Sequence, residues 1–347
     1  MQFSGKGKAP LAIIFDSAFG HRADDPLALA LLYHLDSKNE ARLISLSVST
    51  ADLKAAASLA AISRFYRMTE RDPLPIGMFA AAKLKDETPM TAGLMAKRNA
   101  EGKPLYPHSI ARWQDTADPL PLMRNALASQ LSQNVIVVVT GPATNAARLL
   151  NHPGAKELLT KRARLLVIAA GNFPDGQPDF AVQADIAAAQ KVFAEWPTPI
   201  VAVGNEVGAS ILFPAVSIEK NFAWSKAHPI ADAYRACKPM PYDAPTSALA
   251  AVLYAIKPQE NYFQLSAPGT IQVLSDGRSK FNPSADGKHR HLIIDQAKKE
   301  HVLAAYIEMA GAQPISSQRP VRPPVVKQQP TKPPEVSVPI KKPDSIW

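Results

Sequence analysis

Asp16, Asp24 and Asp25 fall within ten residues of one another, after an apolar run at Leu11–Phe15 and before a second apolar stretch that opens at Pro26. Gly20 lies between them and lets the chain turn back on itself. Carboxylates that converge on one point repel each other, so such a cluster calls for a hard cation or a basic partner. Arg22 sits in the same loop, and a guanidinium there could neutralise the acids without a metal; the plainer reading is a solvated loop arginine. The acids have a plain reading too, because Asp24 or Asp25 just before Pro26 is a favourable helix N-cap. His21 can exchange a proton near neutrality, although no partner for it is fixed by the sequence.

Such a cluster does chemistry only if the fold holds it. Apolar or β-branched runs at Leu11–Phe15, Arg42–Val48, Val135–Val139, Arg164–Ala169 and Ile200–Val203 alternate with stretches of helical periodicity. The latter cover Pro26–Leu35, Leu53–Tyr66, Leu120–Ser132, Thr144–Leu150, Ile186–Trp196 and Ser247–Ile256, with later helices expected over Ile230–Cys237 and Gln296–Ala310. Strands joined by helical crossovers predict an α/β fold with a mainly parallel central sheet flanked by helices. In that architecture functional groups gather at the carboxyl ends of the strands. The loops to inspect are then Asp16–Asp25, Ser49–Asp52, Thr140–Asn145, Ala170–Asp185 and Gly204–Ala209.

Composition removes several classes of function. Apolar residues make up 46% of the 347, and no apolar run approaches the roughly 18 residues of a bilayer span, so no membrane role is expected. The single cysteine, Cys237, excludes an internal disulfide and a Cys-based zinc site. The basic N-terminal stretch is followed by a short apolar run closed by Asp16, too short for a secretory core, which predicts a cytoplasmic protein. Net charge is +9, but residues 314–347 carry six Lys/Arg against two acids. The body keeps a modest excess without a basic helix or an aromatic RNA-binding motif, so no nucleic-acid partner is expected. Nine of the 32 prolines also lie from Pro314 onward. We therefore read residues 1–313 as one α/β domain and 314–347 as a Pro-rich, basic, disordered tail. Pro320 with Pro323, and Pro330 with Pro333, have the PxxP spacing that fits an SH3-like partner. A homo-oligomer is left open.

Four blocks, in register along the chain, resemble the inosine–uridine-preferring nucleoside hydrolase family. Asp16, the Gly20 turn and Asp24-Asp25 opening an apolar helix are similar to its N-terminal signature, D-x-D-x-G followed by D-D. Thr140-Gly141-Pro142-Ala143-Thr144-Asn145 after a strand looks like its T-G-P-x-T-N. Gly171-Asn172-Phe173 with Asp179-Phe180-Ala181 and Asp185 resembles its M-G-G-x-F and E-F-N-x-x-x-D block. Ser247–Ile256 looks like a late helix that normally opens with Asp. The resemblance covers roughly residues 10 to 310 and implies a nucleoside-hydrolase-like fold. It implies a calcium ion that grips a ribose diol and an attacking water, with an Asp as base and an oxocarbenium-like transition state. Carried over position by position, it implies catalytic roles for Asp16 and Asp24, the latter on a ribose hydroxyl. Asp25 and the Thr140 carbonyl become metal ligands, and Asn172 and Asp179 substrate-binding residues.

The departures from the pattern are chemical. The second Asp of D-x-D, ligand and base, is Ala18; the Asn for the ribose diol is Ala181; the neighbouring Glu is the shorter Asp179. The late-helix Asp aligns with Ala248, with Ser247 one residue away. Alanine supplies no lone pair, and calcium wants six to eight oxygens, so weak calcium binding at most is expected. The leading expectation is a protein of N-ribosyl hydrolase lineage that takes a ribonucleoside or ribose-like ligand, with catalysis lost or altered. One alternative is an active purine or pyrimidine N-ribohydrolase using Asp16, Asp24 and Asp25 in a rearranged site. Another is an interaction protein acting through its tail. Asn145 reads as a helix cap, Asn172 as a pocket residue or a turn cap, and His289 and His291 as the exposed face of a strand.

Overall fold

Residues 10–66, 74–174 and 176–315 are described by a computed structural model, and their apolar runs pair as strands. From the N-terminus come β1 (Leu11–Ser17), α1 (Asp25–Ser37), β2 (Ala41–Val48), α2 (Leu53–Tyr66) and β3 (Ile76–Met78). Helices α3 (Pro89–Ala96) and α4 (Pro119–Ala128) lead into β4 (Val135–Val139), α5 (Thr144–Leu150), α6 (Ala155–Arg162) and β5 (Ala163–Ile168). Then follow α7 (Phe180–Ala184), α8 (Ile186–Glu195), β6 (Ile200–Ala202), α9 (Asn205–Ser210), β7 (Leu212–Phe213) and α10 (Ala215–Asn221). The last third holds α11 (Pro229–Cys237), β8 (Ala244–Pro245), α12 (Ser247–Ile256), β9 (Gln264–Leu265), β10 (Gly269–Val273), β11 (Ser279–Pro283), β12 (His289–Ile293) and α13 (Lys299–Gly311).

Among the described residues the central sheet has ten strands in the order β11-β10-β12-β6-β5-β4-β1-β2-β3, with β9 beside β12. The run from β12 through β3 is parallel, and β10 pairs antiparallel with both β11 and β12. Successive side chains of a strand point to opposite faces, and here both faces are covered. Ile13 and Phe15 of β1 enter a core with α1, α2, α12 and α13, while Ala12 and Ile14 enter a second core with α5 and α8. Helix α12 is buried along its whole length, which explains its uninterrupted apolar sequence. Among the described residues no helix is long and apolar enough to cross a membrane.

Several expectations need correcting. Helix α4 stops at Ala128, four residues short of Ser132, and the last expected helix splits into a 3-10 turn at Gln296–Lys298 followed by α13. His289 and His291 are in a strand as read, yet they are not an exposed face: β12 pairs with β6, which buries His289 and half-buries His291. Of the Pro-rich tail, Pro314 and Ile315 are described; the expected disorder and the PxxP motifs lie outside the described residues.

Candidate functional site

The first loop folds over the carboxyl ends of β1, β4 and β5. Thr140 donates its backbone N–H to the Asp16 carbonyl at 2.8 Å, and Ala169 donates to Val139 at the same distance. Gly20 and Gly171 both take positive φ (104° and 91°), where a side chain would be strained. The segments marked by the sequence thus meet at one sheet edge.

Below that edge lies a floor of fully buried carboxyls. Asp16 Oδ1 accepts hydrogen bonds from Ser47 Oγ (2.5 Å) and Asn145 Nδ2 (2.9 Å). Ser47 stands opposite Asp16 in the β1–β2 register, and Asn145 comes from α5, where it also binds the Val48 carbonyl at 3.0 Å. Asn145 is therefore not the cap it resembled; it ties a helix to two strand ends. Burial outweighs these donors and raises the Asp16 carboxyl to about 7. Asp25, the first residue of α1, accepts from Thr140 Oγ1 at 3.0 Å. Burial and the neighbouring charge of Asp24 push its carboxyl up, against the pull of Arg22 and Thr140.

Asp24 occupies the N-cap position of α1, but its side chain makes no cap bond there. It turns away instead, and Oδ2 accepts the N–H of Ala248 in the first turn of α12 at 2.6 Å. Oδ1 faces Arg22 Nε at 3.5 Å. This carboxylate caps a helix, though a different one from the helix it precedes.

Above the floor opens a cavity of about 390 Å³. The first loop contributes His21, Arg22 and Ala23, the segment after β5 contributes Gly171, Asp179 and Phe180, and Asn205, Cys237, Lys238 and Ser247 come from the later helices. His21 and Phe180 stack with ring centroids 5.4 Å apart and planes at 21°. Burial lowers the His21 pKa, against the opposing charges of Asp52 and Asp86. Asp179 N-caps α7, accepting from the N–H groups of Ala181 (2.8 Å), Val182 (3.3 Å) and Gly171. Burial raises its carboxyl in spite of those donors. Lys238 holds its ammonium 4.2 Å above the Tyr242 ring, and the buried Ser247 hydroxyl has no partner.

Of the residues singled out by the sequence, His21, Arg22 and Asp179 line the cavity, whereas Asp16, Asp24, Asp25 and Thr140 do not, and Asn172 is also absent from its lining. Asn172 is engaged through its backbone, donating to Ser279 Oγ at 3.0 Å. Ser47, Phe180 and Lys238 were not picked out. Only the register of β2 against β1 reveals the first, and only the chain's return to the loop cluster reveals the other two.

The residues present do not fit a calcium ion. Asp16 Oδ2 and Asp25 Oδ2 are buried without a hydrogen-bond partner and are the carboxyl oxygens left for a cation. Ala18 and Ala248 bring none, Asp24 is occupied, and burial favours the neutral form of both remaining acids. Six to eight oxygens are not assembled, and among the described residues no three His, Cys, Asp or Glu side chains form a group able to hold a metal.

Comparison with known proteins adds a lineage. The family model for "Inosine-uridine preferring nucleoside hydrolase" matches residues 13–308. The chain is similar to the pyrimidine-specific ribonucleoside hydrolase RihA of Salmonella paratyphi B, 30% identical over 215 residues. That match spans 60% of this chain and 65% of the relative's length. Among solved structures it is similar to the plant nucleoside hydrolase PpNRh1, at a TM-score of 0.65 and 18% identity over 87% of this chain and 99% of that one. It is also similar to the type III effector protein XopQ complexed with adenosine diphosphate ribose, at a TM-score of 0.58 and 16% identity over 90% and 95% of the two chains. At such identities these structures speak to the fold.

Proposed function

Because the chain belongs to the inosine-uridine-preferring nucleoside hydrolase family, we propose that its cavity binds a ribonucleoside-type small molecule and that the metal-assisted hydrolysis implied by the family resemblance is lost. One observation carries this reading: every carboxylate of the first loop is engaged by the protein itself. Asp16 is held by Ser47 and Asn145, Asp25 by Thr140, and Asp24 by the first turn of α12. A general base must reach the proton it removes, and these three acids lie outside the cavity lining. The cavity itself has the size of a small-molecule site.

The test pairs binding with turnover. Calorimetry with uridine and inosine should detect binding, while a chromogenic riboside should show no hydrolysis above background, with or without calcium. Hydrolysis that scales with protein concentration overturns the proposal.

A second reading has its own support. A buried carboxyl held at about 7, as in Asp16, matches the proton affinity of a general base at neutral pH. An active enzyme of this kind would lose turnover on Asp16→Asn and show a rate that rises through pH 7.

A further inference from the structure

Arg22 is only 16% exposed at its side chain, so it is not the solvated loop arginine of the plainer reading. It faces Asp24 directly, and its charge also acts on Asp25 beneath the cavity and on Asp179 in the cavity wall. The Nε–Oδ1 separation of 3.5 Å is longer than a good N–H···O bond. The guanidinium therefore neutralises Asp24 without spending its full set of donors, and it lines the cavity.

The other oxygen of Asp24 leads to a second group. It accepts from Ala248 N–H, so one carboxylate links Arg22 to the first turn of α12. Ser247, the first residue of that helix, lines the same cavity with a buried hydroxyl that has no partner. A fixed cation and an unpartnered hydroxyl thus sit on either side of Asp24, in a site whose residues do not assemble a calcium ion.

Building on the functional reading above, we infer that Arg22 and the start of α12 replace the metal: the guanidinium and the Ser247 hydroxyl take the vicinal diol of a ribosyl ligand, and binding needs no divalent cation. Guanidinium N–H groups donate to the diol oxygens, and Ser247 Oγ can donate or accept as the second hydroxyl requires. Arg22 is paired with Asp24 before the ligand arrives, which limits the ordering cost of binding.

The experiment measures uridine and inosine binding by calorimetry, with 2′-deoxyuridine and 2′-deoxyinosine as probes lacking the diol, in EGTA and in millimolar calcium. Wild-type affinity should be the same in both buffers and should fall about tenfold or more for the deoxy probes, the worth of a charge-assisted hydrogen bond. Arg22→Gln should weaken uridine and inosine by a similar factor and leave the deoxy probes nearly unchanged, because the contact it removes is the one to the diol. A merely structural arginine would weaken ribosyl and deoxyribosyl probes alike, so an equal loss for all four ligands overturns the substitution. Wild-type binding that requires calcium overturns it without recourse to any variant, and so does equal affinity for ribosyl and deoxyribosyl ligands. Calcium-dependent binding without turnover defeats this inference alone, whereas hydrolysis, or no binding of any nucleoside, defeats the functional reading beneath it.

Discussion

The floor and the wall of the cavity belong to the same loop cluster but treat their polar groups in opposite ways. On the floor, Asp16, Asp25, Thr140 and Asn145 are fully buried and bond to one another's elements, so each side chain joins a strand end to a helix. In the wall, Arg22, Lys238, Phe180 and His21 reach the cavity. Removing any one of these four floor side chains would strand a buried polar partner. The wall is under no such constraint and can be rewritten for a new ligand. On the reading proposed above, family-like acids at the floor report how the chain folds, and its ligand is read from the wall.

The sharpest way to break this comparison is pH. The Asp16 carboxyl sits at about 7 in the folded protein, against roughly 3.9 when unfolded. Between those values the folded state holds a proton that the unfolded state has released, so stability falls as pH rises and levels off above about 7. The slope is about 1.4 kcal/mol per pH unit, on the order of 4 kcal/mol across the window. Asp16→Asn keeps an acceptor for Ser47 and Asn145 and cannot ionise, so it should lose the Asp16 share of the slope, leaving that of the likewise raised Asp25, and exceed wild type at pH 8 in urea titrations. Equal slopes for the two proteins would mean that the floor is wetter than described.

A steric change tests the floor independently of charge. A Cβ at Gly141 would collide with Ser49 Oγ and the Ala18 backbone nitrogen, and would lie 2.8 Å from the Ala18 Cβ. Gly141→Ala should therefore destabilise by about 3 kcal/mol, the upper end of typical overpacking costs. A midpoint unchanged in denaturant would show that this strand end yields.

Calcium probes the boundary between the two layers. Wild type should bind it no more tightly than about 10⁻⁴–10⁻³ M, the class of weak sites. Ala18→Asp combined with Ala248→Asp should improve that by about tenfold, or about 1.4 kcal/mol. Micromolar affinity in the wild type would show that the orphaned Asp16 and Asp25 oxygens suffice. The smallest effect belongs to the wall. Phe180 is 39% exposed, so Phe180→Ala should change stability by no more than about 0.5 kcal/mol while weakening nucleoside binding through loss of the stack on His21.

Sequence patterns reached the layers unequally. Val135–Val139, Leu53–Tyr66, Thr144–Leu150 and Ser247–Ile256 coincide with β4, α2, α5 and α12, because unbroken apolar runs and 3.6-residue periodicity survive in buried elements. The β9, β10 and β11 strands gave no comparable signal: β10 alternates buried and exposed positions over five residues, and β9 is two exposed residues long. In the site, the carboxylate cluster and the loops that carry it were legible. The partner of each oxygen was not, since Ser47 lies 31 positions from Asp16 and Asn145 lies 129 positions away. Asn145 beside a helix start has a local explanation as a cap, and nothing local distinguishes that from a long-range role.

The bond from Asp24 to Ala248 joins positions 224 residues apart, and this separation has a consequence for how the chain is made. At 5–20 residues per second on the ribosome, roughly 11–45 s pass between the synthesis of the first loop and that of its helix. Throughout that interval Asp24 lacks the N–H it will accept, and the apolar face of α1 lacks the later helices α12 and α13 that it packs against. The nascent amino-terminal half is thus left with uncovered apolar surface until the last third of the polypeptide emerges, an interval in which misassociation competes with folding.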